Sequence, residues 1–461
     1  MPKIRSDWKV RNTDMNKNDI IEITITDISA DGSGIGKYNG MAVFVPLTAV
    51  GDSVVARVLK VKKNYAFAKA EQIIHPSERR TNIDCSVFNR CGGCVFRHID
   101  YRTECDIKQN RVAQTMRRIG KVQFDPKPII AATNSNRYRN KALYPVAKNG
   151  ELGFYSKRSH RVIPCGDCLL HPKEFADAAD IFTNFVQKHN ISVYDETTQR
   201  GLLRHFYLRY GFKTGEIMVG VVINGSELPE ADQLVNRLKT KFGDNLKSVI
   251  LNINTKNTNV VLGDKNVTVY GRGYIYDILC GVKVRISPQS FYQVNNAMAE
   301  KLYKKAAEYA EPDGKNILDL YCGAGTIGLS MAHEAKSVIG VEIISSAVKD
   351  ARINAGQNNI TNARFICGDA SDAAEKLEND GILTDVVILD PPRKGCDESL
   401  LKTVALGFAP QKIVYVSCDV ATLARDAAIL EQFGFELKEY TPVDLFPRTA
   451  HVETVCLFDK K

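Results

Sequence analysis

The stretch ILDLYCGAGTIGL, residues 317–329, decides the fold of the C-terminal part of the chain. An apolar, strand-like run leads directly into Gly323, Gly325 and Gly328. Glycines at this spacing allow a tight turn and let the backbone approach a ligand at the N-terminus of the following helix. The stretch therefore predicts the first strand–loop–helix unit of a doubly wound α/β domain. On its own the spacing fits proteins that bind NAD or FAD equally well.

Three further strand ends narrow the choice of ligand. The next strand ends at Glu342, where a carboxylate can accept hydrogen bonds from both hydroxyls of a ribose. Asp369 follows the third strand, where it could face an adenine, and ILDPPRKG places Asp390 and two prolines after the fourth. An acid followed by Pro-Pro at this point resembles the fourth motif of class I nucleic-acid methyltransferases that use S-adenosylmethionine. The alternative, a Rossmann dehydrogenase, shows no nicotinamide chemistry in this sequence.

Two later segments supply candidate reactive groups. YVSCDVATLARD places Cys418 directly after a predicted strand and near a helix start, where a thiolate can be stabilised. TAHVETVCLF places Glu453 close to His451 in an apolar strand, where burial would raise its pKa and suit it to accept a proton. The ordinary alternatives are a buried structural cysteine and a solvated glutamate on an edge strand.

Together these residues predict a covalent reaction at uracil. Carbon C5 of uracil is a poor nucleophile towards a methyl sulfonium, but a thiolate that adds to C6 gives C5 enolate character. A base must then remove the C5 proton so that the thiolate can leave. Cys418 as nucleophile, S-adenosylmethionine as methyl donor and Glu453 as base would supply every part of this reaction.

The first half of the chain has a different character. The chain has 461 residues and a net charge of +9, of which residues 1–290 carry +16 and residues 291–461 carry −7. Residues 111–160 alone carry +9, with tyrosines and phenylalanines among the cations, which favours a nucleic-acid partner over a merely solvated surface. Residues 19–73 alternate apolar and polar residues between glycine-rich turns, which predicts an OB-like barrel. Residues 200–285 read as an α+β region on an antiparallel sheet.

A cysteine cluster lies in the basic part of the chain. CSVFNRCGGC places Cys85, Cys91 and Cys94 close together, and CGDCLLHP offers Cys165 or Cys168 as a fourth thiol. The chain lacks an apolar signal segment at its start and any run of roughly 20 apolar residues, so we expect a cytoplasmic protein without a membrane span. In a reducing compartment such a cluster indicates a metal site rather than disulfides. By spacing alone, a zinc site and an iron–sulfur cluster are equally compatible.

With these motifs assembled, essentially the whole chain resembles the RNA uracil-C5 methyltransferases, and in particular their bacterial 23S ribosomal RNA branch. VSCDVATLARD and HVETV match the nucleophile and base motifs of that family. The resemblance implies a multidomain α/β protein: an OB-like TRAM barrel, a central α+β domain with an iron–sulfur site, and a C-terminal Rossmann-like methyltransferase domain. The expected domains are 14–73, 74–284 and 285–461.

The resemblance also implies the roles of individual residues. It assigns Cys418 and Glu453 to catalysis, and it implies a 4Fe-4S cluster, with a structural role, beside the S-adenosylmethionine site. The expected S-adenosylmethionine contacts are Gln293, Tyr321, Glu342 and Asp390, and the expected cluster ligands are Cys85, Cys91, Cys94 and Cys168, chosen over Cys165.

Three alternatives stay open. The same chemistry could act on transfer RNA instead of ribosomal RNA. A cytosine-C5 methyltransferase would place its nucleophile in a Pro-Cys dipeptide, and the one such dipeptide, Pro164-Cys165, lies outside the methyltransferase domain. A non-catalytic RNA-binding assembly factor would not need the complete set of site residues. One RNA with one flipped base needs only a monomer.

Overall fold

The computed structural model describes residues 15–157 and 159–461, and these form two compact units. The small unit and the large unit are each built from several chain segments. The small unit contains residues up to 89, 94–107 and 448–450, and the large unit contains residues 90–93, 108–447 and 451–461. In the described ranges, no helix combines the length and apolar character needed to cross a membrane. The three-domain division 14–73, 74–284 and 285–461 stays a prediction, and residue 14 lies outside the described residues.

The small unit contains a closed five-stranded barrel in the order β1-β2-β3-β5-β4. Alternation in β1 turns Ile21, Ile23 and Ile25 into the barrel core and leaves the residues between them exposed. At Gly36 in β2 a Cβ would lie 2.6 Å from the carbonyl oxygen of Thr24, so the close pairing with β1 depends on glycine. The predicted OB-like barrel is confirmed. Its strands are β1 (Ile20–Ile28), β2 (Gly34–Tyr38), β3 (Met41–Val45), β4 (Ser53–Val61) and β5 (Tyr65–His75).

The first part of the large unit is a five-stranded sheet covered by two helices. The sheet runs in the order β12-β11-β10-β9-β6, and Phe182, Phe206 and Leu234 belong to the core between it and the helices. The sheet is antiparallel except that β10 pairs with β11 in parallel, because α3 crosses over between them. The elements are α1 (Tyr101–Arg118), β6 (Lys141–Pro145), β7 (Gly153–Tyr155), β8 (Val162–Pro164), α2 (Lys173–Lys188), β9 (Leu203–Tyr210), β10 (Ile217–Ile223), α3 (Ala231–Phe242), β11 (Leu246–Ile253) and β12 (Lys265–Gly271).

The second part of the large unit is a seven-stranded sheet in the order β17-β16-β15-β18-β19-β21-β20. The strands from β17 to β19 are parallel, and β21 runs antiparallel between β19 and β20. This is the doubly wound α/β domain that the glycine-rich stretch predicts. A hairpin precedes it. The elements are β13 (Ile275–Leu279), β14 (Val282–Ile286), α4 (Asn296–Ala310), β15 (Asn316–Leu320), α5 (Thr326–Met331), β16 (Ser337–Glu342), α6 (Ser345–Gln357), β17 (Ala363–Cys367), α7 (Ala370–Asn379), β18 (Val386–Leu389), α8 (Glu398–Lys402), β19 (Lys412–Ser417), α9 (Val420–Gln432), β20 (Phe435–Val443) and β21 (Glu453–Lys460).

The C-terminal turns of α1 pack against this sheet. Val112 and Met116 belong to the same core as the sheet strands and α9. The Nζ of Lys108 donates a 2.7 Å hydrogen bond to Asp444, and both side chains are fully buried. Removing one partner of such a pair would leave an uncompensated buried charge, which typically destabilises by about 3–5 kcal/mol. This pair therefore fastens α1 to the segment between β20 and β21.

Candidate active site

One edge of the seven-stranded sheet gathers the predicted reactive residues. Parallel strands bring their carboxyl ends to the same edge, and β21 begins there because it runs in the opposite direction. Asp390 follows β18, Cys418 follows β19, and Glu453 is the first residue of β21. In the register Leu389 pairs with Tyr415, and Ser417 pairs with Thr454. Three residues that are distant in sequence thus come from adjacent strands.

The glycine-rich loop lies on the same edge, directly after β15. Gly323 and Gly325 have φ angles of 56° and 78°, a backbone conformation that favours glycine. A Cβ at Gly328 would lie 2.9 Å from Oδ2 of Asp319, which accepts a 3.0 Å hydrogen bond from the Gly328 N–H. The loop therefore keeps its backbone open towards the sheet edge, as a nucleotide-like ligand requires.

Glu342 reaches this loop from the end of β16. Its two carboxylate oxygens accept hydrogen bonds from the N–H groups of Gly323, at 3.1 Å, and Ile344, at 2.8 Å. Each oxygen has a second lone pair, so the carboxylate can still accept bonds from two ribose hydroxyls. Asp369 is exposed and caps α7 by accepting a bond from Ser371 N–H, and its expected contact with adenine stays a prediction. These backbone bonds hold Glu342 in place before a ligand arrives.

Asp319 is a site residue that the sequence reasoning missed. It is fully buried in β15, and Oδ1 has no hydrogen-bond partner among the described residues. Burial raises its pKa to about 8, the Gly328 hydrogen bond opposes the shift, and the charges of Asp390 and Glu342 add to it. The available signal was an acid inside the apolar run ILDLY. Asp319 thus lies close enough to Asp390 and Glu342 for their charges to act on its pKa.

Asp390 lies in a loop whose backbone is held by hydrogen bonds with residues of α9. Burial raises the pKa of Asp390 to about 7. The buried carboxylate of Asp426 accepts hydrogen bonds from the Cys396 N–H, at 2.8 Å, and the Tyr415 hydroxyl, at 2.6 Å. Arg425 donates to the carbonyls of Lys394 and Cys396, both at 3.1 Å. Together with the two prolines, these contacts give the Asp390 loop one defined path.

Cys418 lies between β19 and the start of α9, as predicted, but its thiol is not activated in the way we expected. Burial raises its pKa to about 11, with further contributions from the charges of Glu453 and Asp390, against which Arg393 acts. Asp419, next to Cys418, caps α9 by accepting bonds from the N–H groups of Ala421 and Thr422. Desolvation and two carboxylates therefore outweigh any stabilisation by the helix start, and the unliganded protein holds a protonated thiol.

Glu453 is buried at the start of its strand, 6 % exposed. Burial raises its pKa to about 8, the charge of Asp390 adds to this shift, and Arg393 opposes it. The burial and the raised pKa that the sequence predicted for Glu453 are both present. A carboxylate with a pKa near neutrality can exchange a proton at physiological pH, which is what a general base requires.

Cations surround this group of acids. Arg393 is exposed in the Asp390 loop, and its charge acts on Cys418, Glu453 and His451. Partial burial lowers the pKa of His451, and Arg393 and Arg111 contribute to the same shift. His451 is therefore neutral near pH 7. Arg393 therefore brings a positive charge close to the reactive residues.

The remaining predicted cofactor residues are Tyr321, directly after β15, and Gln293, in the segment before α4. Tyr321 begins the glycine-rich loop with a φ of 68° and is half-buried. Gln293 is buried in the segment before α4, where its carbonyl accepts a 2.9 Å bond from Nδ2 of Asn140. In the same segment the Tyr292 hydroxyl donates to buried Asp277 at 3.0 Å. The assignment of these side chains to S-adenosylmethionine stays a prediction.

The structure does not show the metal site predicted for the cysteine cluster. Cys85, Cys91, Cys94 and Cys168 are each partly exposed, and none of them forms a disulfide. In residues 15–157 and 159–461, no group of three or more cysteine, histidine, aspartate or glutamate side chains is placed to hold a metal ion. Thiols are the right donors for iron–sulfur ligation, but the structure does not show the site, so the cluster stays a prediction.

The barrel surface carries features of a nucleic-acid interface. Tyr65 packs edge-on against Phe44 and Phe67, with ring centroids 5.7 and 5.5 Å apart. Four lysines are exposed on β4, β5 and the turn between them: Lys60, Lys62, Lys63 and Lys69. Aromatic rings among cations are typical of surfaces that bind single-stranded nucleic acid.

Comparison with known families assigns both parts of the chain. The family model described as tRNA (Uracil-5-)-methyltransferase matches residues 100–461, and the TRAM domain model matches residues 16–70. The chain is 43% identical over 452 residues to an uncharacterized RNA methyltransferase of Halalkalibacterium halodurans, which covers 97% of this chain and 98% of the relative. It is 40% identical over 455 residues to an uncharacterized RNA methyltransferase of Clostridium tetani, with 97% and 98% covered.

A solved structure shares the architecture of nearly the whole chain. The tRNA (uracil-54, C5)-methyltransferase of Pyrococcus abyssi, in complex with S-adenosyl-L-homocysteine, superimposes with a TM-score of 0.79 at 28% sequence identity. The match covers 95% of this chain and 99% of that one. S-adenosyl-L-homocysteine is what remains of S-adenosylmethionine after methyl transfer, so that complex supports S-adenosylmethionine as the donor in this fold.

Proposed function

This chain belongs to the tRNA (uracil-5-)-methyltransferase family of S-adenosylmethionine-dependent enzymes, and on that premise we propose that it methylates C5 of a uridine in 23S ribosomal RNA through a covalent adduct of Cys418. The observation that carries the proposal is the meeting of Asp390, Cys418 and Glu453 on adjacent strands at one sheet edge. The exposed lysines and aromatic rings of the barrel support an RNA substrate.

The donor site fits the residues that surround it. Glu342 would accept hydrogen bonds from the ribose hydroxyls of S-adenosylmethionine, and the loop at Gly323 and Gly325 would face the rest of that cofactor. Asp390 would lie at the end of the cofactor that carries the methyl group. S-adenosylmethionine supplies an electrophilic methyl group on a sulfonium. The role of the protein is to hold a uracil with C5 facing that methyl and C6 facing the sulfur of Cys418, which requires an unpaired or flipped base.

The reaction then needs two proton movements. The thiol of Cys418 has a pKa near 11 in the unliganded protein, so it must first lose its proton to solvent before the sulfur adds to C6. After C5 has gained the methyl group, Glu453 removes the C5 proton. The electron pair of that C–H bond restores the C5=C6 double bond as the carbon–sulfur bond breaks. The methylated uridine and the Cys418 thiolate result, and the proton rests on Glu453.

The reaction is tested by methyl transfer from labelled S-adenosylmethionine to purified RNA. We expect labelled 5-methyluridine in ribosomal RNA from a strain that lacks the enzyme, and none with the Cys418→Ala variant. RNA carrying 5-fluorouridine at the target should trap the wild-type protein, since fluorine does not leave as a proton. Transfer without any covalent species would contradict the covalent route.

Transfer RNA is the second candidate substrate. The Pyrococcus abyssi protein of the same fold acts on uracil 54 of tRNA, and the matching family model carries a tRNA description. Offering ribosomal and transfer RNA from the same deletion strain side by side separates the two. Label confined to transfer RNA would replace the ribosomal assignment and leave the chemistry unchanged.

We also propose that Cys85, Cys91, Cys94 and Cys168 hold a structural 4Fe-4S cluster that shapes an RNA-binding surface. The spacing of the first three thiols supports this proposal. Anaerobically purified protein should contain about four irons per chain. Cys168→Ser should lose the iron and Cys165→Ser should keep it. Stoichiometric zinc without iron would overturn the proposal.

A further inference from the structure

The large unit has a second cavity that shares no residue with the candidate active site. Its volume is about 410 Å³, and β8, the end of β6 and the residues around 193–197 form its walls. Sites for small ligands in proteins typically measure about 300–1,000 Å³. The residues that line the cavity include Tyr155, Tyr194, His205, Arg161 and Arg204. The cavity is large enough for one organic ligand.

Flat groups line this cavity. The guanidinium of Arg204 lies 4.6 Å from the ring centroid of Tyr194, and it is held in place by the carbonyls of Asn254, at 2.8 Å, and Lys256, at 2.9 Å. Tyr155 packs against His160 with ring centroids 5.3 Å apart. Unstacked RNA bases bind to aromatic rings and to arginine planes of this kind. The walls therefore favour a planar, aromatic ligand.

A buried polar atom in the wall has no partner. His205 is 8 % exposed, and its Nδ1 has no hydrogen-bond partner among the described residues. Buried polar groups in folded proteins are almost always hydrogen-bonded. Burial, with the nearby charge of Arg204, lowers the pKa of His205 to about 4, so the ring is neutral and offers one donor and one acceptor. These are the groups that read the edge of a nucleobase.

The rim of the cavity carries cations as well as acids. Lys148 pairs with Asp195 at 3.0 Å and His160 with Glu196 at 2.8 Å, so both acids are already engaged. Arg161 is exposed, and no acidic partner is found for it in the part of the chain that the structure describes. A phosphate next to a bound base would meet Arg161 first.

Taking the proposed RNA substrate as given, we propose that this cavity binds one unstacked nucleotide of the RNA, away from the uridine that is methylated. The base stacks between Tyr155 and the Tyr194–Arg204 pair, His205 hydrogen-bonds its edge, and Arg161 contacts a phosphate. The cavity thus provides a second point of attachment that selects RNA with a free base at a set distance from the target.

The test compares stacking variants with a matched control. Tyr194→Ala should weaken binding of a short single-stranded oligouridine by about 5- to 150-fold, the loss typical of one stacked base, and Tyr194→Phe should restore it. Tyr270→Ala is the control, because Lys239 lies 5.0 Å from the Tyr270 ring in a cation–π pair outside the cavity. It should bind the RNA as the wild type does. S-adenosylmethionine binding should be unchanged in all three variants.

Arg161→Ala provides a second test that does not depend on packing, since the side chain is exposed. Its slope of log affinity against log salt concentration should be smaller by about one, as for one lost phosphate contact. If Tyr194→Ala and Arg161→Ala both bind oligouridine as the wild type does, the proposal is wrong. If the two variants lose only their binding of uridine monophosphate and still bind oligouridine, the cavity is a site for free nucleotides and the RNA assignment is overturned.

These outcomes are separable from the fate of the methylation proposal. If the wild-type protein methylates uridine but the cavity variants bind RNA normally, only the cavity proposal is wrong. If the wild-type protein does not methylate uridine but Tyr194→Ala weakens RNA binding, the methylation proposal is wrong and the cavity proposal stands.

Discussion

The two sheets of the large unit bury charge of opposite sign. The seven-stranded sheet collects Asp319, Asp390 and Glu453 near one edge, and burial raises the pKa of all three. The five-stranded sheet buries Lys141 and His205, and burial lowers their pKa to about 7 and about 4. Desolvation disfavours the charged form in both places. On the seven-stranded sheet, desolvation therefore gives carboxyl groups that can take up protons near neutral pH. On the five-stranded sheet it gives basic groups whose positive charge a bound anion would stabilise.

The difference also separates tasks. Proton removal needs a base whose conjugate acid has a pKa close to the working pH. The carboxylates of Asp390 and Glu453 meet that condition. Binding of RNA phosphate needs cations, which the five-stranded sheet and the barrel provide. If this division is right, variants at the acidic edge should change turnover, and variants on the basic sheet should change affinity.

The largest effect should follow the loss of the nucleophile. We expect Cys418→Ala to lower methyl transfer by a factor of about 10⁴ or more, because a methyl side chain cannot add to C6. RNA and S-adenosylmethionine should still bind. Methyl transfer is measured with labelled donor, and affinity by filter binding.

Cys367 is the matched control for this variant. It ends β17 at the same sheet edge and is exposed, so Cys367→Ala should transfer methyl groups at the wild-type rate. Residual activity of Cys418→Ala close to that of the wild type would show that no covalent adduct is needed.

The second effect concerns the base. Glu453→Gln should still add to the uracil and methylate it, but elimination should stall, so turnover should fall about 10²- to 10⁴-fold. A methylated protein–RNA complex should accumulate and survive denaturing electrophoresis. Glu436→Gln, in the exposed part of β20, should behave as the wild type does. Normal turnover by Glu453→Gln would transfer the role of base to His451 or Asp390.

The third effect is on stability. Glu453 has a higher pKa folded than unfolded, so the stability it contributes is complete below pH about 4.5 and is lost as pH rises through about 8. Glu453→Gln should therefore gain stability over the wild type as pH rises, by on the order of a few kcal/mol at pH 9. Lys141 has a lower pKa folded than unfolded, so Lys141→Met should gain relative stability as pH falls from about 10.5 to about 7, with no further gain below that. Urea unfolding of both variants at several pH values tests the pair; parallel pH profiles would contradict the contrast between the sheets.

The smallest effect is on RNA affinity. Lys141 lies beside Arg139 and Arg209, and these like charges add to burial in lowering its pKa to about 7. Wild-type affinity for RNA should decline a few-fold between pH 6 and pH 8 as Lys141 loses its charge, roughly one phosphate contact. Lys141→Arg should remove this decline because arginine stays charged. An unchanged decline in Lys141→Arg would assign the pH dependence to another group.

The features that could be predicted from the sequence are those that depend on a short, continuous stretch of residues. The glycine loop, Glu342, Asp390 and Cys418 each follow a strand that can be recognised from adjacent residues, and strand ends converge in any doubly wound sheet. The state of the Cys418 thiol could not be predicted locally, because its pKa is raised by burial and by the charges of Glu453 and Asp390, which come from other strands. Local context suggested an activated thiolate, and tertiary context reverses that.

Features built from distant segments were not predictable in the same way. The parallel pairing of β10 and β11 inside a sheet expected to be antiparallel depends on how α3 packs. The cavity of Tyr155, Tyr194 and His205 combines three segments, none of which carries a motif. Asp319 had a signal, an acid in an apolar strand, but its meaning needs the hydrogen bond from Gly328.

The position of β21 couples the chemistry to the completeness of folding. β20 joins the sheet only through β21, which also carries Glu453 and pairs with the strand that presents Cys418. A partly folded chain without β21 in place would lack the base and would leave β20 unpaired at once. The pairing of β21 with β19 is non-local, because α9 and β20 lie between them in the chain, and non-local pairs cost more loop-closure entropy than local ones. On the proposed covalent route, an incompletely folded molecule would therefore lack the group that releases the uracil, and all the proposed reactive residues are in place only in the finished sheet.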